Sequence, residues 1–437
     1  LTIRTIFLIR FLRLCRSASH QKLQYFTVSF DFQIVSCCVS GSVMRAISIF
    51  VLCSAVVFKV DSTRVQCRDR FLEPFSNTSI WNTAIGSAAR FAPADLFASA
   101  DLFPSQFHND QEFFVRVSDS DTEFDWIDQG DWGADEKCNV VGKAVRKIRL
   151  PKNFTTASDC DENNENCQSA ADQMNNNPMG ILLEDQETIV QMQPAYRCDP
   201  NGVFLARFGN DTDGCPQRFP NITSIFSDGN LGAHGGSGLS GVGGMIRLGE
   251  LLPEAPPISH ALKIELQHIW YFGEYKLAND SDYNGGRSQY VWPATGSDSG
   301  SQKAPGGLYT GKNKHIVPGA LLSFPNDTSS LSLKTDVGKK IFDALYNYGG
   351  YIVDDTGGSN SVAICMDALV NAEMRRTYGY TMAYPHGIGN GGPGQALYQD
   401  LLMIFQNLSV VINNGPDSIG GGGVPRKPTK GPICMDT

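Results

Sequence analysis

Several features are missing from this sequence, and each absence removes a class of function. No Cys-x-x-Cys pair occurs, which argues against a zinc cluster built on such pairs. The Gly-rich stretch at 232–244 lacks the Lys-Ser/Thr ending of a phosphate-binding loop. Gly-x-Ser-x-Gly is absent too, so neither Ser237 nor Ser240 sits in a nucleophile elbow. No apolar run is long enough to span a bilayer comfortably, and no apolar tail resembling a lipid-anchor signal is found. No internal repeat is visible. Basic residues are scarce beyond the first 66 positions. Residues 67–437 hold 28 Lys and Arg against 43 Asp and Glu, a net of about −15. Such an exterior repels nucleic acid at long range, although it permits a local basic cleft.

What is present points to the secretory route. Met44 and Arg45 precede an apolar stretch at 46–58 and then the small residues Ser62 and Thr63, in the order of a signal peptide. The expected layout is an upstream gene-model extension at 1–43, a signal peptide at 44–66, one large secreted domain at 67–413 and a flexible Gly/Pro tail at 414–437. Seven N-x-[ST] sequons, at Asn77, Asn153, Asn210, Asn221, Asn279, Asn326 and Asn407, fit a glycoprotein. Eight cysteines lie in 67–437, enough for up to four disulfides. The local pairs Cys160–Cys167 and Cys198–Cys215 are expected.

The 437 residues, 41% of them hydrophobic, support one large core or two medium ones. With 44 Gly and 22 Pro, turns should be many and long helices few. Residues 181–193 read as a hairpin around a polar turn at 184–187, and 139–150 and 202–208 as strands. Val337, Ile341 and Leu345 recur at helical spacing within 334–348, and Gly349-Gly350 supply the stop. A strand "YIVDDT" follows. A second helix is expected at 395–406, before "LSVVIN". The fold class is mainly β, a β-sandwich or jelly roll with a few decorating helices. The two helix-then-strand units make α+β the alternative.

The central block at 228–272 holds the candidate chemistry. Read as one strand, "HALKIELQHIWY" puts Leu262, Ile264 and Leu266 on a core face, with His260 and His268 at its ends. Lys263, Glu265, Gln267 and Tyr271 share the other face, and on a concave sheet such a row would form a sugar-binding groove. The alternative for that face is a plain solvated surface. "AHGGSG" around His234 lets the backbone approach a ligand or another chain closely. Paired carboxylates for glycoside hydrolysis are available among Glu250, Glu265, Asp354 and Asp355. Adjacent strand residues point to opposite faces, so Asp354 and Asp355 share a cleft only if a bulge intervenes. Elimination from a uronate polymer needs a cationic or amide neutraliser, a base and an acid. His234, Arg247, Lys263, Gln267 and Tyr271 supply those types as candidate catalytic residues. Glu250, Glu265, Trp270, Tyr275 and Trp292 are the candidate substrate contacts. Asp159, Asp161, Asn163 and Glu165 alternate in "DCDENNENC", which suits a Ca²⁺ loop, although a solvated acidic loop has the same composition.

The block "DGNLGAHGGSGLSGVGGMIRLGEL" resembles a segment of large secreted proteins of bacteria and microalgae. "SIWNTAIGS", "IVQMQPAYRC", "HALKIEL", "YVWPAT" and "YGGYIVDDT" extend that likeness over most of residues 75–356. A fainter similarity to jelly-roll alginate lyases rests on the order Arg247–Glu250, Gln267–His268 and Tyr271–Tyr275. Gln267 and His268 are adjacent here, a departure from the Gln-x-His spacing of those enzymes. Together these readings imply a secreted carbohydrate-active protein, a polysaccharide lyase or glycoside hydrolase. The alternative is a non-catalytic matrix or lectin-like glycan-binding protein.

Overall fold

The computed structural model describes residues 67–434, apart from 129–140, 157–177, 211–217, 274–288, 298–308, 329–330, 357–359 and 384–386. The expected leader at 1–66 lies outside the described residues. So do Tyr275, Cys160, Cys167, Cys215 and all four candidate Ca²⁺ ligands, Asp159, Asp161, Asn163 and Glu165.

The chain is mainly β with four α-helices among the described residues. Its main sheet has eleven strands, and the centre is what positions the site. There, Gly350–Asp355, Leu262–Leu266, Ser361–Asp367 and Gln106–Arg116 lie side by side in that order. Leu262–Leu266 is parallel to Gly350–Asp355 and antiparallel to Ser361–Asp367, which is itself parallel to Gln106–Arg116. Parallel pairs need long crossovers, and the one from Leu262–Leu266 to Gly350–Asp355 carries the helix Asp336–Asn347. The predominance of strands with few helices is the expected mainly β class, and the main sheet mixes parallel with antiparallel pairs. A four-stranded sheet, including Thr122–Asp128 and Ala144–Leu150, packs Trp126 and Phe204 in one core with Phe113, Met179 and Ile181 of the main sheet.

The two expected helices form at Asp336–Asn347 and Gln395–Gln406. Thr335 caps the first, its hydroxyl accepting from the Gly338 N–H at 3.0 Å. Asp400 of the second helix anchors that cap by accepting from the Thr335 N–H and hydroxyl at 2.7 and 2.6 Å. Val337, Ile341 and Leu345 pack against Leu262, Ile264 and Ile352 of the sheet. Gly349, at φ 82°, ends the helix and sends the chain straight into the sheet.

The opposite sheet face is covered by irregular chain, not by helices. Trp81, Leu239, Val242 and Met245 pack there on Phe114, Tyr351, Val353 and Cys365. The 232–244 segment therefore forms a lid of glycine-rich backbone over the central strands. A Cβ on Gly243 would collide with the Trp81 ring, and one on Gly232 with the Gln191 side chain. The close approach expected of these glycines is thus made within the chain itself.

Three expectations change. "HALKIELQHIWY" is not one strand: it ends at Leu266, and Gln267 caps the short helix His268–Tyr271. The segment 414–434 does not stand free as a tail. Arg426 donates to the Phe324 carbonyl, Lys430 pairs with Glu73 at 2.8 Å, and Cys434 is disulfide-bonded to Cys67. Cys365 is a buried free thiol and does not join a disulfide. Cys198 is disulfide-bonded, but its expected partner Cys215 lies outside the described residues.

The Cys67–Cys434 bond closes a loop with a sequence separation of 367. Replacing both cysteines by serine is expected to cost about 2–5 kcal/mol in chemical denaturation. Limited proteolysis should then cut first within 414–434.

Candidate functional site

Alternation along the four central strands sends apolar side chains to the helices and ionisable ones under the glycine-rich lid. Asp110 and Glu112 come from Gln106–Arg116, Lys263 and Glu265 from Leu262–Leu266, and Cys365 from Ser361–Asp367. Asp354 joins them because the register between Leu262–Leu266 and Gly350–Asp355 shifts at this point, pairing Ile264 with Ile352 but Glu265 with Asp354. Val353 and Asp354 thus both turn to the lid, while Asp355 sits 3.3 Å from His268. The bulge that a shared carboxylate cleft would require does occur, but it separates the two aspartates.

His234 projects from the lid into the middle of this row. Its Nε2 lies 3.3 Å from Glu112, 3.6 Å from Glu265 and 3.9 Å from Asp110, and 3.7 Å from the Cys365 Sγ. Its Nδ1 faces Asp354 Oδ2 at 3.7 Å. Lys263 donates to Glu112 and, at 3.0 Å, to the Ser240 carbonyl of the lid. The lid is itself fixed to the protein. Gln193 accepts from the Gly235 N–H, Gln191 accepts from the Gly241 N–H at 2.8 Å, and the Ser237 N–H donates to the Val353 carbonyl at 3.2 Å. These N–H groups are therefore occupied and do not cradle an anion.

The electrostatics follow from burial. Four carboxyls and a thiol share this layer with one ammonium and one imidazole. Burial pushes the Asp110 carboxyl up, against the pull of His234. Glu265 is raised well above the usual carboxylate range by burial, and then by the neighbouring charges of Asp110 and Asp354. The two carboxyls hydrogen-bond to each other, so one proton is held between them. Burial also raises the Cys365 thiol well above its ordinary value, helped by Glu112 and Glu265. It is a protonated thiol, not a primed thiolate.

Of the expected catalytic residues, only His234 and Lys263 meet here, with Glu265 from the expected substrate contacts. Arg247 is buried and donates to the Val242 carbonyl at 2.8 Å, with its guanidinium over the Phe114 ring. Glu250 accepts from the Arg247 N–H at 2.6 Å and pairs with His260 at 3.1 Å. Burial alone would raise that carboxyl, but His260 and the Arg247 N–H hold it below its usual value. Gln267 accepts from the Trp270 N–H at 3.0 Å, and Tyr271 donates its hydroxyl to the Leu102 carbonyl at 2.6 Å. Trp270 and Trp292 are half-buried and pack against the two cores. The row Lys263, Glu265, Gln267 and Tyr271 is therefore buried and does not line an open groove.

Asp110, Glu112 and Cys365 were not foreseen. In "FHNDQEFF" the ionisable His108, Asp110 and Glu112 alternate with Asn109 and Gln111, a period-two signal that places three such groups on one strand face. A surface cleft of about 420 Å³, lined by Arg116, Ser118, Asp121, Glu184 and Gln186, lies elsewhere. Its side chains form ordinary surface contacts such as Arg149–Glu184, and none of the buried ionisable groups reaches it.

Lys263 is the one buried ammonium facing these carboxylates among the described residues. Lys263→Met is expected to destabilise the fold by about 3–5 kcal/mol, because Glu112 is left buried without its partner. Adding Glu112→Leu should recover about 2 kcal/mol or more, read as the coupling energy of a double-mutant cycle in denaturant. No protein-family model, curated protein or solved structure matches the chain, which leaves the geometry as the guide to function.

Proposed function

We propose that the protein is a secreted enzyme acting on an extracellular carbohydrate by general acid–base catalysis, with Glu265 as the acid. The observation that supports this best is the hydrogen-bonded Asp110–Glu265 pair, buried beside His234 and Asp354. A carboxyl kept protonated above its ordinary range is what donation to a leaving oxygen requires near neutral pH. Asp354, on the neighbouring strand, is the second carboxylate.

Hydrolysis fits better than elimination. A lyase must neutralise a uronate carboxylate, yet Lys263 is tied to Glu112 and Arg247 to Val242. The remaining groups are acidic and would repel a polyanion. Asp110 and Glu265 are themselves too close, as hydrogen-bonded partners, for the separations of about 5–9 Å between paired glycosidase carboxyls. Asp110 is accordingly assigned to holding the Glu265 proton. Access is at the edge of the lid, where Asp354 and Asp110 keep 15% and 10% of their side-chain surface.

A second reading is a non-catalytic matrix or lectin-like protein. It is favoured by the depth of His234, Glu112 and Lys263, none of which has exposed surface. Among the described sequon residues, Asn153, Asn326 and Asn407 are exposed, while Asn77 and Asn221 are half-buried, so the first three offer glycan positions under either reading.

Product analysis on a panel of polysaccharides tests the proposal. New reducing ends are expected, with rates reduced about 10²–10⁴-fold in Glu265→Gln. The acid form is the active one, so activity should persist above the usual glutamate range and fall as pH rises through the raised Glu265 pKa. Unsaturated uronate products would indicate a lyase instead. Retention on a polymer without any product would favour the second reading.

A further inference from the structure

Asp110, His234, Glu265 and Cys365 can bring one ligand atom each to within 4.8 Å of all the others, and all four are buried. The measured edges are similar: 3.6 Å from His234 Nε2 to Glu265, 3.7 Å to Cys365 Sγ, 3.9 Å to Asp110, and 3.7 Å from Cys365 Sγ to Glu265. A tetrahedron of N, O and S ligands at about 2.0–2.3 Å from an ion has edges of about 3.3–3.8 Å. Three strands and the lid thus present a donor set close to tetrahedral size.

A second observation points the same way. Glu112 has no exposed surface, its Oε1 is 3.3 Å from His234 Nε2, and its Oε2 has no hydrogen-bond partner among the described residues. An unpartnered buried carboxylate oxygen is costly unless a cation or donor faces it. The Lys263 ammonium is on the other oxygen.

We propose that Asp110, His234, Glu265 and Cys365 form a site for one divalent transition-metal ion of the zinc class, with Glu112 beside it. The donor chemistry sets the class. A thiol and an imidazole are poor ligands for Ca²⁺ or Mg²⁺, which take oxygen cages, whereas N, S and carboxylate O together suit Zn²⁺, Co²⁺ or Fe²⁺. The site is assembled from four distant segments, which is why no ligand motif marks it in the sequence. Binding replaces protons on the thiol and on the shared carboxyl pair by the ion, and the dication offsets the excess of acidic groups. Because the ion takes the place of the Glu265 proton, the metal-bound and acid-competent forms of the site exclude each other, and the ion is detected without any substrate.

The test uses the full secreted protein. Metal content is measured on the purified protein, and Co²⁺ is then titrated into chelator-treated protein while its absorption is recorded. About one equivalent of zinc-class metal is expected, with Co²⁺ giving intense tetrahedral bands and a thiolate charge-transfer band. Cys365→Ser should abolish the charge-transfer band and weaken Co²⁺ by on the order of 100-fold. His234→Ala should weaken Co²⁺ comparably while the thiolate band remains at saturating Co²⁺, and Cys365→Ser keeps the test valid if that variant does not fold. Metal-poor protein that takes up no Co²⁺, or Co²⁺ binding unchanged in Cys365→Ser, overturns the site. Either result leaves polysaccharide cleavage to be judged separately.

Discussion

Three buried carboxyls and the half-buried Asp354 crowd a thiol and an imidazole beneath the lid, with the Lys263 ammonium paired to one carboxyl and the Arg247 guanidinium nearby, and the rest of the site is arranged around that crowding. Isolated buried charge is expensive, so the excess must be met by protons, by hydrogen bonds or by a cation. Lys263 meets one carboxylate, at Glu112. The Asp110–Glu265 pair meets another share by holding a proton. His234 sits within 4 Å of all four carboxyls and so lies at the centre of the layer.

Such a layer needs a rigid floor and a close cover. The floor is the middle of an eleven-stranded sheet, backed by Asp336–Asn347 and Gln395–Gln406. The cover is backbone without side chains: glycines at 232, 243 and 244 let it lie against Gln191 and Trp81 where any Cβ would intrude. Gln191, on the strand Thr188–Met192, and Gln193, just past its end, then accept from the cover's N–H groups. The same contacts that exclude water also fix His234 relative to the strands, which is the precision that either acid–base chemistry or an ion requires.

Much of the outline could be read in the sequence, and the failures have physical causes. The stripe Val337, Ile341, Leu345 and the stop at Gly349 are strong local signals, and that helix formed where expected. Leu369–Tyr378 was missed because it begins at Ala368 without a side-chain cap and carries Glu373, Arg375 and Arg376 among its apolar residues. In Leu262–Leu266 the alternation was right, with Leu262, Ile264 and Leu266 toward the helices. The environment of Lys263 and Glu265 was not, because period-two polarity does not distinguish water from a buried polar layer. His234 stood out through its glycines, whereas Cys365 lies in an apolar run that reads as ordinary core. Partners such as Glu112 and Lys263, 151 positions apart, meet only through strand order.

The central claim is that the Asp110–Glu265 pair holds a proton at neutral pH. Infrared difference spectroscopy of chelator-treated protein measures this directly, because a protonated carboxyl absorbs apart from ionised carboxylates. A protonated-carboxyl band at neutral pH, lost in Glu265→Gln and retained in Glu250→Gln, is the expected result. Fully ionised carboxylates in the wild-type protein would contradict the claim, and the layer beneath the glycine-rich lid would then need another source of positive charge.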